Sequence, residues 1–545
     1  MPKKNVVPAK TFKKKYTMQS LFVNIYLLCL FTIFPLILTD QYASARRDKY
    51  YTFLIVTAIC AVLFLADFIS KIIVPNSRRI FINDHINSNL KDLVWLKKLS
   101  AVDISALSFL IISILSFAFS EFKRQAFFAD VHARNNGLLL ILAYTVCYII
   151  LSRNFYFSES VLIVFTVTAS LICGLGILNF FFQDPFGVFN NYSERYVMDF
   201  ITTIGNKNIF SSFVAIFLPF VSALFITSKN RFLRVFYLVG TAFAFCGLIV
   251  ADSDSGYISY TVFMAAVLIY CVRTYQRLKD FFTMTSVMLL AGKILRLISL
   301  LYDDKSKNTT AFGRLFIYKR ETLILLILTS VLALLMHYYS KRNPELNDRI
   351  FSKRPLWIVA AAIMTFVLAI IAVVIYFSFI NTSIELPTRV LKYLRFNDAW
   401  GTHRGYMWIR TLEIYRSSSI KNMLIGSGPD TLRSVFYPVY GQEMLALYNE
   451  NTNAVHNEYL QYLITHGILG ALSYISIIAF SLYRSFKKAA QNPAVLVFAF
   501  AIMGYASQAI VNIAQPITTP YLIVFIAIAE NICRTDPSSS LERRL

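Results

Sequence analysis

His456 stands in the stretch "NAVHNEYLQYLITHGILG", where a polar cluster opens directly into apolar sequence. An imidazole is the side chain best suited to taking a proton from a hydroxyl near neutral pH. Asn451, Thr452 and Asn453 are good capping residues, so a helix is expected to start at His456. The positive end of its dipole disfavours imidazolium and keeps the ring neutral. At about 100° per residue, Tyr459, Leu460, Leu463, Gly467 and Gly470 fall below His456 on one face. Glycines on a membrane helix let a neighbour approach closely, so Gly467 and Gly470 are expected packing positions beneath the histidine. Glu458, about 200° round, is expected to point elsewhere.

The complementary chemistry is cationic. Arg389, Arg395, Arg404 and Arg410 precede or lie within "AWGTHRGYMWIRTLEIYRSS". Clustered guanidinium groups suit bidentate phosphate binding. Arg404, Trp408 and Tyr415 share a helical face, which predicts a short amphipathic helix on the membrane surface anchored by Tyr406 and Trp408. In "TIGNKNIFSSF", Asn206, Lys207 and Asn208 stand where a span begins, so they either cap it or present free N–H groups and a positive charge to an anion. Asp252 and Asp254 in "VADSDSGYISY" either bind a cation or pair with a loop arginine; two carboxylates fall short of a metal ligand set. In "GSGPDTLRSVFY", Gly426, Gly428 and Pro429 form a tight turn, with Asp430 or Thr431 as cap. No GKS or GKT follows, so this is not a phosphate-binding P-loop.

The elements that must position these residues are membrane spans. The chain has 545 residues, 57% hydrophobic, with 48 Phe and 32 Tyr. Apolar runs such as "LWIVAAAIMTFVLAIIAVVIYFSFI" exceed the ~18 residues that mark a spanning helix. The expected fold is an all-α polytopic membrane protein with fourteen spans, near 18–38, 50–73, 101–120, 137–152, 158–181, 208–227, 232–250, 257–272, 281–301, 321–338, 355–380, 456–482, 494–513 and 519–533. The organisation is N-terminal helices over 1–200, a helical core over 201–380, a long loop over 381–455, C-terminal helices over 456–533 and a tail over 534–545. The net charge of +23 does not imply nucleic acid. With the N-terminus cytoplasmic, 30 of the 53 Lys and Arg fall on the cytoplasmic side and 21 outside, as the positive-inside rule requires. Lys293 and Arg296 lie within a span, either functional or snorkelling to headgroups. Both termini are then cytoplasmic and the long loop external, across the cytoplasmic (inner) membrane. Seven scattered cysteines form no close pair, which excludes a CxxC metal or redox site.

In order, "GNKN", "SDSG", Arg-x-x-x-Trp, "GSGPDT" and "HNEYLQYLITHGILG" resemble the O-antigen ligase and Wzy-type polymerase family, over roughly residues 200–480. The resemblance places the family's external-loop arginine on Arg404 and its histidine on His456. Near "SDSG" the family pattern has Ser-Arg-Gly, and this chain lacks that arginine. The resemblance implies transfer of a glycan from an undecaprenyl-diphosphate carrier to an acceptor hydroxyl, with no metal and no cofactor. The acceptor would sit on a lipid, wall polymer, glycan or protein, and inversion is expected for a single displacement. In that scheme Arg404, helped by Arg389, Arg395 or Arg410, neutralises the diphosphate and His456 takes the acceptor proton. A polymerase joining lipid-linked repeats is the alternative within the family. A flippase or transporter is the alternative outside it, but it would place charges along a midplane path.

Overall fold

The computed structural model describes residues 18–73, 99–129, 134–156, 158–190, 192–302, 305–307, 309–382, 384, 387, 390, 393–449 and 454–535. Fourteen helical segments fall on the fourteen expected spans: Met18–Phe31 continued by Ile33–Leu36, Gln41–Ile73, Ala101–Ala118, Leu138–Asn154, Glu159–Phe180, Lys207–Thr227, Arg231–Ala251, Asp254–Cys271, Tyr275–Leu301, Arg320–Arg342, Lys353–Ile375, Glu458–Lys488, Val495–Gln508 and Thr519–Arg534. Eleven are long and apolar enough to cross a membrane. Strands, among the described residues, are confined to Phe200–Ile201 paired antiparallel with Gly205–Asn206. The protein is therefore an all-α polytopic membrane protein.

Helix Lys207–Thr227 is the centre, buried at every residue from Phe210 to Ile226. It carries Pro219, which cannot donate to the carbonyl of Ala215. That carbonyl accepts instead from Ser259 Oγ at 3.4 Å. A Cβ at Gly504 would lie 2.1 Å from the Ala215 oxygen, so only glycine lets helix Val495–Gln508 approach there. Helix Lys353–Ile375 has no buried residue, as expected of a rim helix facing lipid.

The long loop folds over one end of the bundle as helices Trp400–Ser417, Ile420–Ile425 and Leu432–Tyr448. In the first, Tyr406 is not free to serve as an anchor in a membrane surface. Tyr406 is fully buried, packed with Met407, Leu432, Phe436, Met444, Val455 and Ile464. Trp408 packs against Trp400, the rings tilted at 55° with centroids 5.1 Å apart. Each such apolar side chain contributes about 1.5–3 kcal/mol on burial. The loop therefore holds its arginines on a packed core of its own.

Candidate functional site

His456 does not begin the helix. Its φ is +55°, in the left-handed region, and helix Glu458–Lys488 starts two residues later. Asn457 is the cap: its side chain accepts from the N–H groups of Tyr459 and Leu460, both at 3.0 Å. The expected caps at 451–453 lie outside the described residues. The helical face projected from His456 down to Gly467 is thus wrong, because the capping turn rotates the histidine off that face. Val455 N donates to Gln461 Oε1 at 3.0 Å and Glu458 N to Ala509 O at 2.9 Å, fixing the chain on both sides of the histidine. Glu458 turns into the bundle, where its carboxylate accepts from Tyr474 and Tyr505.

His456 is half-buried, and among the described residues nothing hydrogen-bonds its ring. Burial, then the positive charges of Arg134 and Arg404, push its pKa down to about 3. Desolvation and two guanidinium groups thus both favour the neutral ring.

Arg404 is aimed by a break in its own helix. Gly401, Thr402 and His403 all take left-handed φ, near 60°. A Cβ at Gly405 would lie 1.9 Å from the carbonyl oxygen of Asn397, so the turn closes only on glycine. Arg404 donates to Gly401 O at 3.1 Å, while its Nε is buried without a partner. Burial lowers its pKa, and the charge of Asp254 opposes that. Among the described residues Asp254 makes no ion pair with Arg404; its carboxylate accepts from Tyr393 Oη at 3.4 Å.

Three further residues converge here. Asp430, 4% exposed and at φ +57°, accepts from Arg134 N at 3.4 Å. Burial raises its pKa to about 7, against the charges of Arg46 and Arg134. It does not cap the following helix. Arg134 is itself pushed down to about 10 by burial and then by the charge of Arg46. Beside them lies a cavity of about 400 Å³ lined by Arg46, Arg47, Arg134 and Asn206 and walled by Tyr42, Phe200 and Ile209. The available sequence signals were "SARRDKY" at the head of the second span and an arginine in the short 121–136 segment.

Gly467 is a break rather than a smooth packing face. Its φ of +66° and ψ of −175° are open essentially to glycine alone. The break leaves the carbonyls of Ile464 and Thr465 without helical donors. They accept instead from Ser427 N at 3.2 Å, Gly428 N at 3.0 Å and Ser116 Oγ at 2.8 Å. The approach is reciprocal. A Cβ at Gly467 would lie 2.3 Å from the Leu424 carbonyl, and one at Gly426 2.2 Å from that of Thr465. The "GSG" turn is therefore the plug that lets a membrane helix open, with its backbone satisfied inside the protein. Gly470 packs on His466 and Ile112.

The other candidate residues are held elsewhere. Arg395 donates to Phe377 O at 3.2 Å and Ile384 O at 3.0 Å, tying the loop to the helix before it. Arg410 pairs with Glu413 at 3.0 Å, Glu443 at 3.4 Å and Asp398 at 3.7 Å, so its charge is already neutralised. Arg389 lies outside the described residues. Asn206 caps helix Lys207–Thr227 by accepting from Ile209 N at 2.9 Å, and it also lines the cavity. The charge of Lys207 reaches Asp252. Asn208 accepts from Ser253 Oγ at 2.7 Å. Asp252 accepts from Thr310 N and Oγ1 at 2.6 and 2.7 Å. Lys293 donates to Lys319 O and Thr322 Oγ1 at 2.8 and 2.7 Å, and Arg296 lies over the Tyr318 ring, so both contact protein. Among the described residues, no group of three or more His, Cys, Asp and Glu is placed to hold a metal ion.

A neutral imidazole and several desolvated guanidinium groups beside a partly apolar cavity can hold a phosphorylated amphiphile and take a proton next to it. Residues 309–475 match the family model described as O-Antigen ligase. The match takes in the long loop, Arg404, His456 and Gly467, and it supports an O-antigen ligase-like role in polysaccharide biosynthesis. No curated protein matches the chain.

Proposed function

We propose, with an O-antigen ligase region at residues 309–475 as the premise, that this protein transfers a glycan from undecaprenyl diphosphate to an acceptor hydroxyl at the external face of the cytoplasmic membrane. The observation that carries the reading is the shared field of His456, Arg404 and Arg134, next to a cavity with both cationic and apolar walls. The bias of Lys and Arg toward the opposite loops supports the orientation.

The donor diphosphate lies between Arg404 and Arg134, with the carrier's tail in the bilayer. The acceptor oxygen attacks the anomeric carbon as its proton passes to His456. The bond from that carbon to the phosphate oxygen breaks, and undecaprenyl diphosphate leaves with its electron pair. Charge builds on the leaving oxygen, where desolvated guanidinium groups act most strongly. A single displacement inverts the anomeric centre.

The low proton affinity of His456 in the free protein fits this order of events. A full negative charge about 6 Å away, at an effective dielectric near 20, is worth about 3 kcal/mol, roughly a hundredfold in proton affinity. The bound diphosphate offsets the two arginines, so the imidazole becomes a competent base only when the donor is present. Arg134, with Arg46 behind it, takes over the charge that the family pattern near "SDSG" would have supplied.

The test is reconstitution. Purified protein in liposomes, given lipid-linked glycan and candidate acceptors, should release undecaprenyl diphosphate in step with acceptor glycosylation. Movement of lipid-linked glycan across the bilayer without bond formation would instead identify a transporter. Product in which one carrier bears two repeat units would identify a polymerase.

A further inference from the structure

Arg404 and His456 come from different segments of the chain, and a ring contact joins those segments. His403 immediately precedes Arg404. Its imidazole lies against the Tyr448 ring, with centroids 3.9 Å apart and planes tilted at 36°. Tyr448 also meets Tyr406 edge-on at 5.3 Å. It closes helix Leu432–Tyr448, where Asn449 turns left-handed at φ +51° and donates to Leu445 O at 2.9 Å. Tyr448 packs against a small core that includes Val455, the residue before His456. The pair therefore bridges the residue before the arginine and the core that holds the residue before the histidine.

The backbone around His403 needs such a contact. His403 is at φ +64° and Thr402 at φ +57°. A left-handed residue other than glycine costs about 1–3 kcal/mol and persists only where its surroundings over-determine it, which happens mostly at functional sites. Thr402 Oγ1 reaches only its own neighbour, donating to Gly401 O at 2.6 Å. The His403 ring reaches another helix. Among the described residues nothing hydrogen-bonds that ring, and its Nδ1 is buried without a partner. The ring is thus held by its aromatic face and not through a nitrogen. A pair of that kind contributes about 0.5–1.5 kcal/mol beyond its buried area, enough to offset much of the strain.

Arg404 must be aimed at charge that develops on the leaving phosphate, and a displacement of about 1 Å can lose about a hundredfold in rate. We propose that His403 is a positioning residue for transfer, holding the Arg404 guanidinium in register with His456 through its ring contact with Tyr448. The inference rests on the glycan-transfer reading and gives the histidine beside the loop arginine a part that needs no proton chemistry.

Steady-state transfer by the full-length protein in liposomes, from extracted lipid-linked glycan to acceptor, tests it. His403→Ala should lower kcat about 10–100-fold and leave the donor KM within about twofold, because Arg404 acts on charge present only in the transition state. His403→Phe keeps a ring against Tyr448 and should stay within about threefold of wild type. His403→Gly holds the left-handed turn without strain, so it stays folded, and it should be as slow as His403→Ala. Tyr448→Ala should match them, and the double variant should be no slower than either single one. In an Arg404→Gln background His403→Ala should cost nothing further, since it acts through the guanidinium. Wild-type kcat in both His403→Ala and His403→Gly, a His403→Phe protein as slow as His403→Ala, or losses that multiply with Arg404→Gln would each overturn the proposal. The free protein gives an independent readout. The His456 pKa, followed by NMR of labelled histidine, should rise in His403→Ala as in Arg404→Gln and hold in His403→Phe. That pattern in a protein that never forms product would overturn the transfer reaction and leave the positioning contact standing. Wild-type His456 titration in His403→Ala would overturn the contact instead.

Discussion

Replacing Gly467 with alanine probes the junction on which the site is built. The residue sits at φ +66° and ψ −175°, a conformation that costs a non-glycine residue about 1–3 kcal/mol. The new Cβ would also lie 2.3 Å from the carbonyl carbon and oxygen of Leu424 and 2.5 Å from Ile425 N, all backbone atoms that cannot swing aside. Relief requires helix Ile420–Ile425 and the "GSG" turn to retreat. That retreat stretches the bonds from Ser427 N, Gly428 N and Ser116 Oγ to the carbonyls of Ile464 and Thr465, each worth about 1 kcal/mol. Strain and lost bonds together come to about 4–6 kcal/mol, which should lower the thermal midpoint of a 545-residue chain by about 3–5 °C. Scanning fluorimetry in detergent is the assay. Gly426→Ala should cost a similar amount, because its Cβ meets the same junction from the other side. The double variant should cost little more than either single one, since an opened junction cannot be opened twice. A Gly467→Ala protein within about 0.5 kcal/mol of wild type, or strictly additive singles, would refute the plugged-helix reasoning.

Asp430 gives a pH prediction: its folded pKa of about 7 lies above the ordinary 3.8, so the folded state holds its proton longer than the unfolded chain. Stability should therefore fall as pH rises from about 4 to 7, and Asp430→Asn should remove that slope in thermal melts across the window. For His456, held near 3 in the free protein, kcat/KM should show no histidine ionisation above about pH 4, whereas kcat should show one near about pH 5, because a hundredfold gain in proton affinity from the bound diphosphate is about two pH units. Arg404→Gln should raise the free-protein pKa of His456, measurable by NMR of labelled histidine. Arg410→Ala should lower the thermal midpoint through loss of its three carboxylate partners but reduce transfer less than Arg404→Ala does.

Span placement was legible in the sequence because bilayer thickness and backbone hydrogen bonding leave the chain few options. Even Tyr275–Leu301, with Lys293 and Arg296 inside it, forms where charge asymmetry required a span. Local geometry at the site was less legible. Asn457 caps the helix, and a start two residues later, after a left-handed turn at His456, takes the histidine off the face that was drawn for it. Gly467 looks the same in sequence whether it packs a smooth helix or breaks one; the partner that decides, Gly426, is forty-one residues away in the chain. Arg46, Arg134 and Gln515 come from three separate segments and meet only after folding. Among the loop arginines, charge type alone could not separate Arg404 from Arg410, because the acids that neutralise Arg410 include Glu443 on another helix.

Single-turnover transfer by purified wild-type, His456→Ala and Arg404→Ala proteins, from extracted lipid-linked glycan to acceptor, tests the central claim most directly. The account predicts that each variant binds donor yet transfers about 10²–10³-fold more slowly. Transfer near the wild-type rate in either variant, with the fold intact, would contradict it.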